Sequence, residues 1–165
     1  MRFDLRALVV GCLAAATLPL ACAGSATVTF VNAERFSDIG FAPTDRQLNL
    51  QALERHFQSL AQQRLPADQV LKVEVLDVDL AGEERPSVRA GRDLRILRGG
   101  ADWPRIKLRY TLESNGRTLR SGEETLSDLS YQQGFAGAYS TGTEPLRYER
   151  RMLDKWFQSR LVAAP

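Results

Sequence analysis

A chain of 165 residues, 44% hydrophobic and 25% charged, has the size and balance of one folded domain. Those fractions exclude a collagen, a low-complexity tract and a wholly disordered chain. Lys+Arg 22 against Asp+Glu 20 leaves +2, too little for a protein whose main work is non-specific nucleic-acid binding, so no nucleic-acid partner is expected.

Residues 1–23 read as a secretory signal peptide. Arg2 and Arg6 precede residues 7–20, which carry no charge, and Ala21-Cys22-Ala23 offers an A-x-A cleavage site before Gly24. A transmembrane helix needs about 20 apolar residues. This stretch is shorter and contains Gly11, Thr17 and Pro19. Both cysteines, Cys12 and Cys22, lie in it, so cleavage after Ala23 leaves residues 24–165 without a disulfide. The alternative is lipidation at Cys22, which would make that residue the first of a membrane-anchored lipoprotein. Pro19 stands where lipoprotein signals usually place a branched aliphatic residue. The expected location is the periplasm, with a lipid anchor as the alternative and no transmembrane helix in the mature chain.

Residues 27–31, TVTFV, predict a short strand. A loop follows to Pro43. Thr44-Asp45-Arg46-Gln47 then fits a capping box. Leu50, Leu53, Phe57 and Leu60 recur at helical spacing, and Pro66 ends that helix. Residues 70–80 predict the strongest strand. Leu71, Val73 and Val75 share one face, but Leu76, Val78 and Leu80 share the other, so a bulge is expected between Val75 and Leu76. Residues 81–93 predict a charged loop, and 94–98 a short strand.

Residues 105–113 alternate cleanly up to Asn115-Gly116, a strong hairpin turn signal. A bulge at Gly122 would place Ile106 opposite Leu126, Arg109 opposite Glu123, and Glu124 opposite Leu108 on the apolar side. Residues 127–143 are rich in small residues. Thr143 and Pro145 suit the start of a second helix, with Leu146, Leu153, Trp156, Phe157 and Leu161 as its apolar face. The sum is an α+β, two-layer domain over 24–165. A mostly antiparallel sheet of four to five strands carries two amphipathic helices on one face, in the order β-α-β-β-β-β-α.

The segments EVLDVDLAG (74–82), RGGADWPRI (98–106), SGEETLSDLSY (121–131) and YERRMLDKWF (148–157), with VTFVNAERFSDIG (28–40), resemble the bacterial family called domain of unknown function 3016. The resemblance covers nearly all of the chain after residue 23. It implies an exported protein of Gram-negative bacteria. It implies no activity and assigns no catalytic residue.

The candidate sites each have a plainer structural alternative. His56 is the sole histidine, and a Ser/His/Asp triad would have to use it, but no G-x-S-x-G elbow is present. A structural histidine is therefore expected, with no catalytic residue, metal or cofactor. Asp77, Asp79, Glu123 and Glu124 are the carboxylates that a hydrolase acting on a cell-wall glycan would need across one cleft. Solvated strand acids paired with arginines are the alternative. Arg105, Lys107 and Arg109 form a basic stripe on one sheet face. It would suit an anionic envelope component, or else it is the wet side of a cross-paired sheet. Trp103, Tyr131, Phe135 and Tyr139 could anchor a partner or pin loops over the core.

The favoured reading is a non-enzymatic envelope module that binds another macromolecule, an envelope protein or an anionic component, through the wet face and residues 127–143. The alternatives are the glycan hydrolase and a carrier of a small apolar ligand held between sheet and helices.

Overall fold

The computed structural model describes residues 23–87, 89, 92–133 and 146–162. The leader 1–22, with Cys22, and Phe135, Tyr139, Thr143 and Pro145 lie outside the described residues. The elements are β1 (Ser25–Phe30), a 3-10 turn (Ala33–Arg35), α1 (Pro43–Arg64) and β2 (Gln69–Asp79). There follow β3 (Glu83–Ser87), β4 (Arg92–Ile96), β5 (Arg105–Ser114), β6 (Arg117–Ser127) and α2 (Arg147–Phe157). A π turn, Gln158–Val162, extends α2.

Four strands form one sheet in the order β1-β2-β5-β6. β1 runs parallel to β2, because α1 carries the chain back to the same end before β2 begins. The other two pairings are antiparallel. Both helices cover one face. Leu53, Phe57, Leu60 and Ala61 of α1 and Met152, Leu153, Trp156 and Phe157 of α2 close over Leu71, Val73, Val75, Val78, Ile106, Leu108 and Tyr110. Trp156 stands edge-on to Phe57, Tyr110 and Phe157, so one indole joins both helices to the sheet. These side chains pack against one another between the two layers.

The α+β class and the helices on one face agree with the sequence, with one strand more. Residues 83–87, expected as a charged loop, form β3, which pairs with β4 as a separate two-stranded sheet. Its burial pattern explains why it has no strand signature in the sequence. No residue of β3 is buried, so its sequence shows no apolar alternation, and Pro86 reads as a breaker.

Three local expectations also shift. α1 starts at Pro43, with Ala42 at its N-cap and no side-chain cap, so the capping box on Thr44 does not form. Proline has no N–H to satisfy and fits the first helical position better than Thr44 fits the cap. α2 starts at Arg147 after Leu146 in a left-handed conformation. In the β5–β6 hairpin, Asn115 and Gly116 do take positive φ at the tip, and Ile106, Leu108 and Arg109 face Leu126, Glu124 and Glu123 as expected. The bulge, however, falls at Leu119, because Leu112 pairs with Arg120 and Glu113 with Thr118. Gly122 sits opposite Tyr110 for another reason: a Cβ there would lie 3.2 Å from the tyrosine ring. The bulge expected in β2 is present, with the register shifting between Val75 and Asp77.

Candidate functional site

The uncovered sheet face is a lattice of opposite charges. Arg109 on β5 lies between Glu74 on β2, at 2.7 Å, and Glu123 on β6, at 3.0 Å. Lys107 meets Glu123 at 3.0 Å, and Lys72 meets Glu113 at 2.8 Å. Arg105 holds Asp79 through Nε at 3.1 Å. The whole basic stripe is thus matched by carboxylates on its neighbours, as cross-strand pairing favours. Hydrogen bonds from Lys107 and Arg109 hold the Glu123 carboxyl below its ordinary range.

The four candidate carboxylates do not converge. Asp77 accepts the Ser37 N–H and hydroxyl, both at 2.7 Å. Asp79 sits beside Arg105 at the end of β2. Glu123 lies on the open face. Glu124 points to the helix side, where the Tyr110 hydroxyl donates to it at 3.3 Å and Arg160 lies 3.3 Å away. No single cleft contains two of these groups as a facing acid and base. Tyr131 is 1% exposed and belongs to a small second core with Ala81 and Tyr148, against which Trp103 packs. The Tyr131 hydroxyl donates to Asp102 at 2.8 Å and accepts from Gly99 N–H at 3.2 Å. Both aromatics thus pack in that second cluster, apart from the main core.

No side chain of residues 36–41 stands out in the sequence as a candidate site, yet hydrogen bonds fix this loop at many points. It runs beside β2, with the Asp38 N–H donating to the Val78 carbonyl and the Leu80 N–H to that of Asp38. The Asp38 carboxylate turns back to accept from Gly40 N–H at 2.9 Å and from Arg95 at 2.8 and 3.2 Å. Asn49 and Arg46 on α1 donate to the carbonyls of Ile39 and Gly40. Glu84 on β3 accepts the Phe41 N–H at 2.8 Å. Gly40 takes φ +113°, a turn that a side chain would resist.

The result is a pinned loop that ends on a bare aromatic ring: Phe41 is 76% exposed. Leu48, on the adjacent first turns of α1, is 58% exposed. Phe41, Asp38, Asp79, Glu84 and Arg85 line a cleft of about 520 Å³ between the loop and β3. Behind it, Arg95 reaches from β4 to Asp38 and to the carbonyls of Ala81 and Gly82, which fastens the hairpin to the main sheet. Glu149 of α2, 2% exposed, accepts the Ala81 N–H at 2.8 Å. Burial pushes its carboxyl above the ordinary range, against that hydrogen bond and the nearby Arg95. The signal for Asp38, Arg95 and Glu149 was absent from the sequence because it lies in contacts between distant segments.

Among the described residues, no group of three or more His, Cys, Asp or Glu side chains is placed to hold a metal ion. No described helix is long and apolar enough to cross a membrane. What the fold and this cleft define is a small α+β domain with a helix-covered sheet and a rigid loop displaying an aromatic side chain. Residues 24–159 match the family described as protein of unknown function, DUF3016, and the chain belongs to that family. No curated protein and no solved structure matches.

Proposed function

We propose that this is an exported, periplasmic, non-enzymatic module that binds another protein through the 36–41 loop and the neighbouring start of α1. The exposure of Phe41 on a loop already fixed by hydrogen bonds carries this reading. An exposed phenylalanine contributes little to folding, whereas a pre-ordered one loses little freedom on binding, so it suits an anchor for a partner's apolar pocket. Leu48 extends the apolar area, and the charges of Glu84 and Arg85 beside it provide a polar rim. The wet sheet face suits binding less well, since an anion there must displace carboxylates already paired with Arg105, Lys107 and Arg109.

The test is site-specific photo-crosslinking in cells. A photoreactive residue at position 41 should give one discrete protein adduct, and the same residue at Thr111, on the wet face, should give none. Equal adducts at both positions, or release of soluble wall fragments by the purified protein, would overturn the reading.

A further inference from the structure

The two edges of the main sheet differ. β6 is guarded against further pairing by its bulge at Leu119 and by Arg117, Arg120, Glu123 and Glu124. β1, SATVTF, has no charge, no proline and no bulge. Edge strands usually carry such guards because their free backbone groups template another strand.

The direction of those groups follows from the parallel pairing. Val31 N–H donates to the Val75 carbonyl, so the odd residues of β1 turn toward β2. Ala26, Val28 and Phe30 therefore turn their N–H and C=O groups outward. Among the described residues, no backbone partner is assigned to these groups. Their side chains lie on the helix-covered face and are only half buried there, while Ser25, Thr27 and Thr29 are exposed on the other face.

We infer that β1 is the pairing edge for a second copy of this chain, joined antiparallel about a two-fold axis at Val28. This inference is independent of the Phe41 surface. In this register Val28 faces Val28 of the other copy, and Ala26 faces Phe30. Both outward groups of all three residues then find partners, as the hydrogen-bonded pairs of an antiparallel ladder. Thr27 falls opposite Thr29 on the wet face, a favourable cross-strand pair. On the helix side, a small residue meets a large one, and the half-buried Ala26, Val28 and Phe30 become covered. The axis stands perpendicular to the sheet, so both helix layers lie on the same side of one continuous sheet. The strand is self-complementary in face, size and charge, as an isologous contact requires.

Sedimentation of the purified protein over a range of concentrations, with amide exchange, tests this. The wild type should dimerise, and the Ala26, Val28 and Phe30 amides should slow as concentration rises. Val28→Pro removes an outward N–H, which an edge strand tolerates, at the cost of some packing by the half-buried side chain, and should leave a folded monomer. The double variant Thr27→Lys with Thr29→Lys sets like charges opposite each other across the axis and should also be monomeric. Thr27→Glu with Thr29→Lys places each new charge beside its opposite within the chain, next to Lys72 and Glu74, and again across the axis. It should tighten the dimer severalfold. A monomeric wild type would overturn the inference, as would dimers that survive both disruptive variants. Protection of these amides at high dilution, or only on addition of cell extract, would assign the edge to another occupant and overturn it too.

Discussion

His56 on α1 and Asp154 on α2 are joined by a 2.9 Å contact between Nε2 and Oδ1. Arg150 Nε donates to the other ring nitrogen at 3.2 Å, so Nδ1 is the acceptor and Nε2 carries the hydrogen. The Arg150 carbonyl lies 3.2 Å from Nε2 as a second acceptor. The imidazole is 7% exposed and bridges the two helices. His56→Ala should therefore destabilise the fold by about 2 kcal/mol, the scale for losing a buried hydrogen-bonded group. Urea unfolding that leaves the midpoint unchanged would contradict this bridging role.

Gly82 opens the β3–β4 hairpin at φ +80°, and a Cβ there would lie 2.5 Å from the Ile96 carbonyl oxygen. That oxygen is backbone and cannot swing aside. Gly82→Ala should cost about 2–3 kcal/mol through left-handed strain and the clash. The damage should be local, because β3 and β4 form their own sheet. Amide exchange should accelerate in residues 83–96 more than in β2 or β5.

Two buried carboxyls should tilt the pH dependence in opposite directions. Burial of Asp128 opposes ionisation, but hydrogen bonds from Lys155 and Arg151 outweigh it and hold its pKa below the ordinary value. Its contribution is full above the unfolded carboxylate pKa and fades as pH falls through the lowered folded value. Asp128→Asn should weaken the fold at neutral pH, and the gap to wild type should shrink as pH falls below the ordinary carboxylate pKa. Glu149 has its pKa raised by burial, so its contribution is present at low pH and lost as pH rises through the raised folded value. Glu149→Gln keeps an acceptor for the Ala81 N–H. It should gain on wild type as pH rises above the ordinary carboxylate range. Unfolding curves across pH for both variants check the signs.

The charge lattice on the open face predicts weak anion binding. Arg105, Lys107 and Arg109 are all engaged by carboxylates. Binding to anionic vesicles should equal binding to neutral ones, with no salt dependence. Strong, salt-sensitive adsorption that disappears with Arg109→Ala would contradict the pairing.

What the sequence revealed depended on where a residue's partners lie. The slip at Val75–Leu76, the Asn115-Gly116 turn and the Arg109–Glu123 pair were legible because strand periodicity and a tight turn are local. The β5–β6 bulge was misplaced because Gly122 resembles a bulge residue, whereas its real constraint is the Tyr110 ring from the next strand. β3 was missed because a strand without a buried face leaves no periodic trace. Residues 36–41 read only as part of a loop, although 36–40 lie in a motif of the family resemblance. Its rigidity comes from Asp77, Glu84 and Arg95, which are distant in the chain.

The parallel placement of β1 also sets an order of assembly. β5 and β6 meet across a two-residue turn, so their pairing closes a short loop, whereas β1 reaches β2 only after α1 has formed and crossed over. β1 is thus expected to dock after the β5–β6 hairpin has closed. Val28→Ala should accelerate unfolding and leave the refolding rate nearly unchanged. Until β1 docks, the side of β2 that it covers stands open, a template on which a half-folded chain can stick to its neighbour.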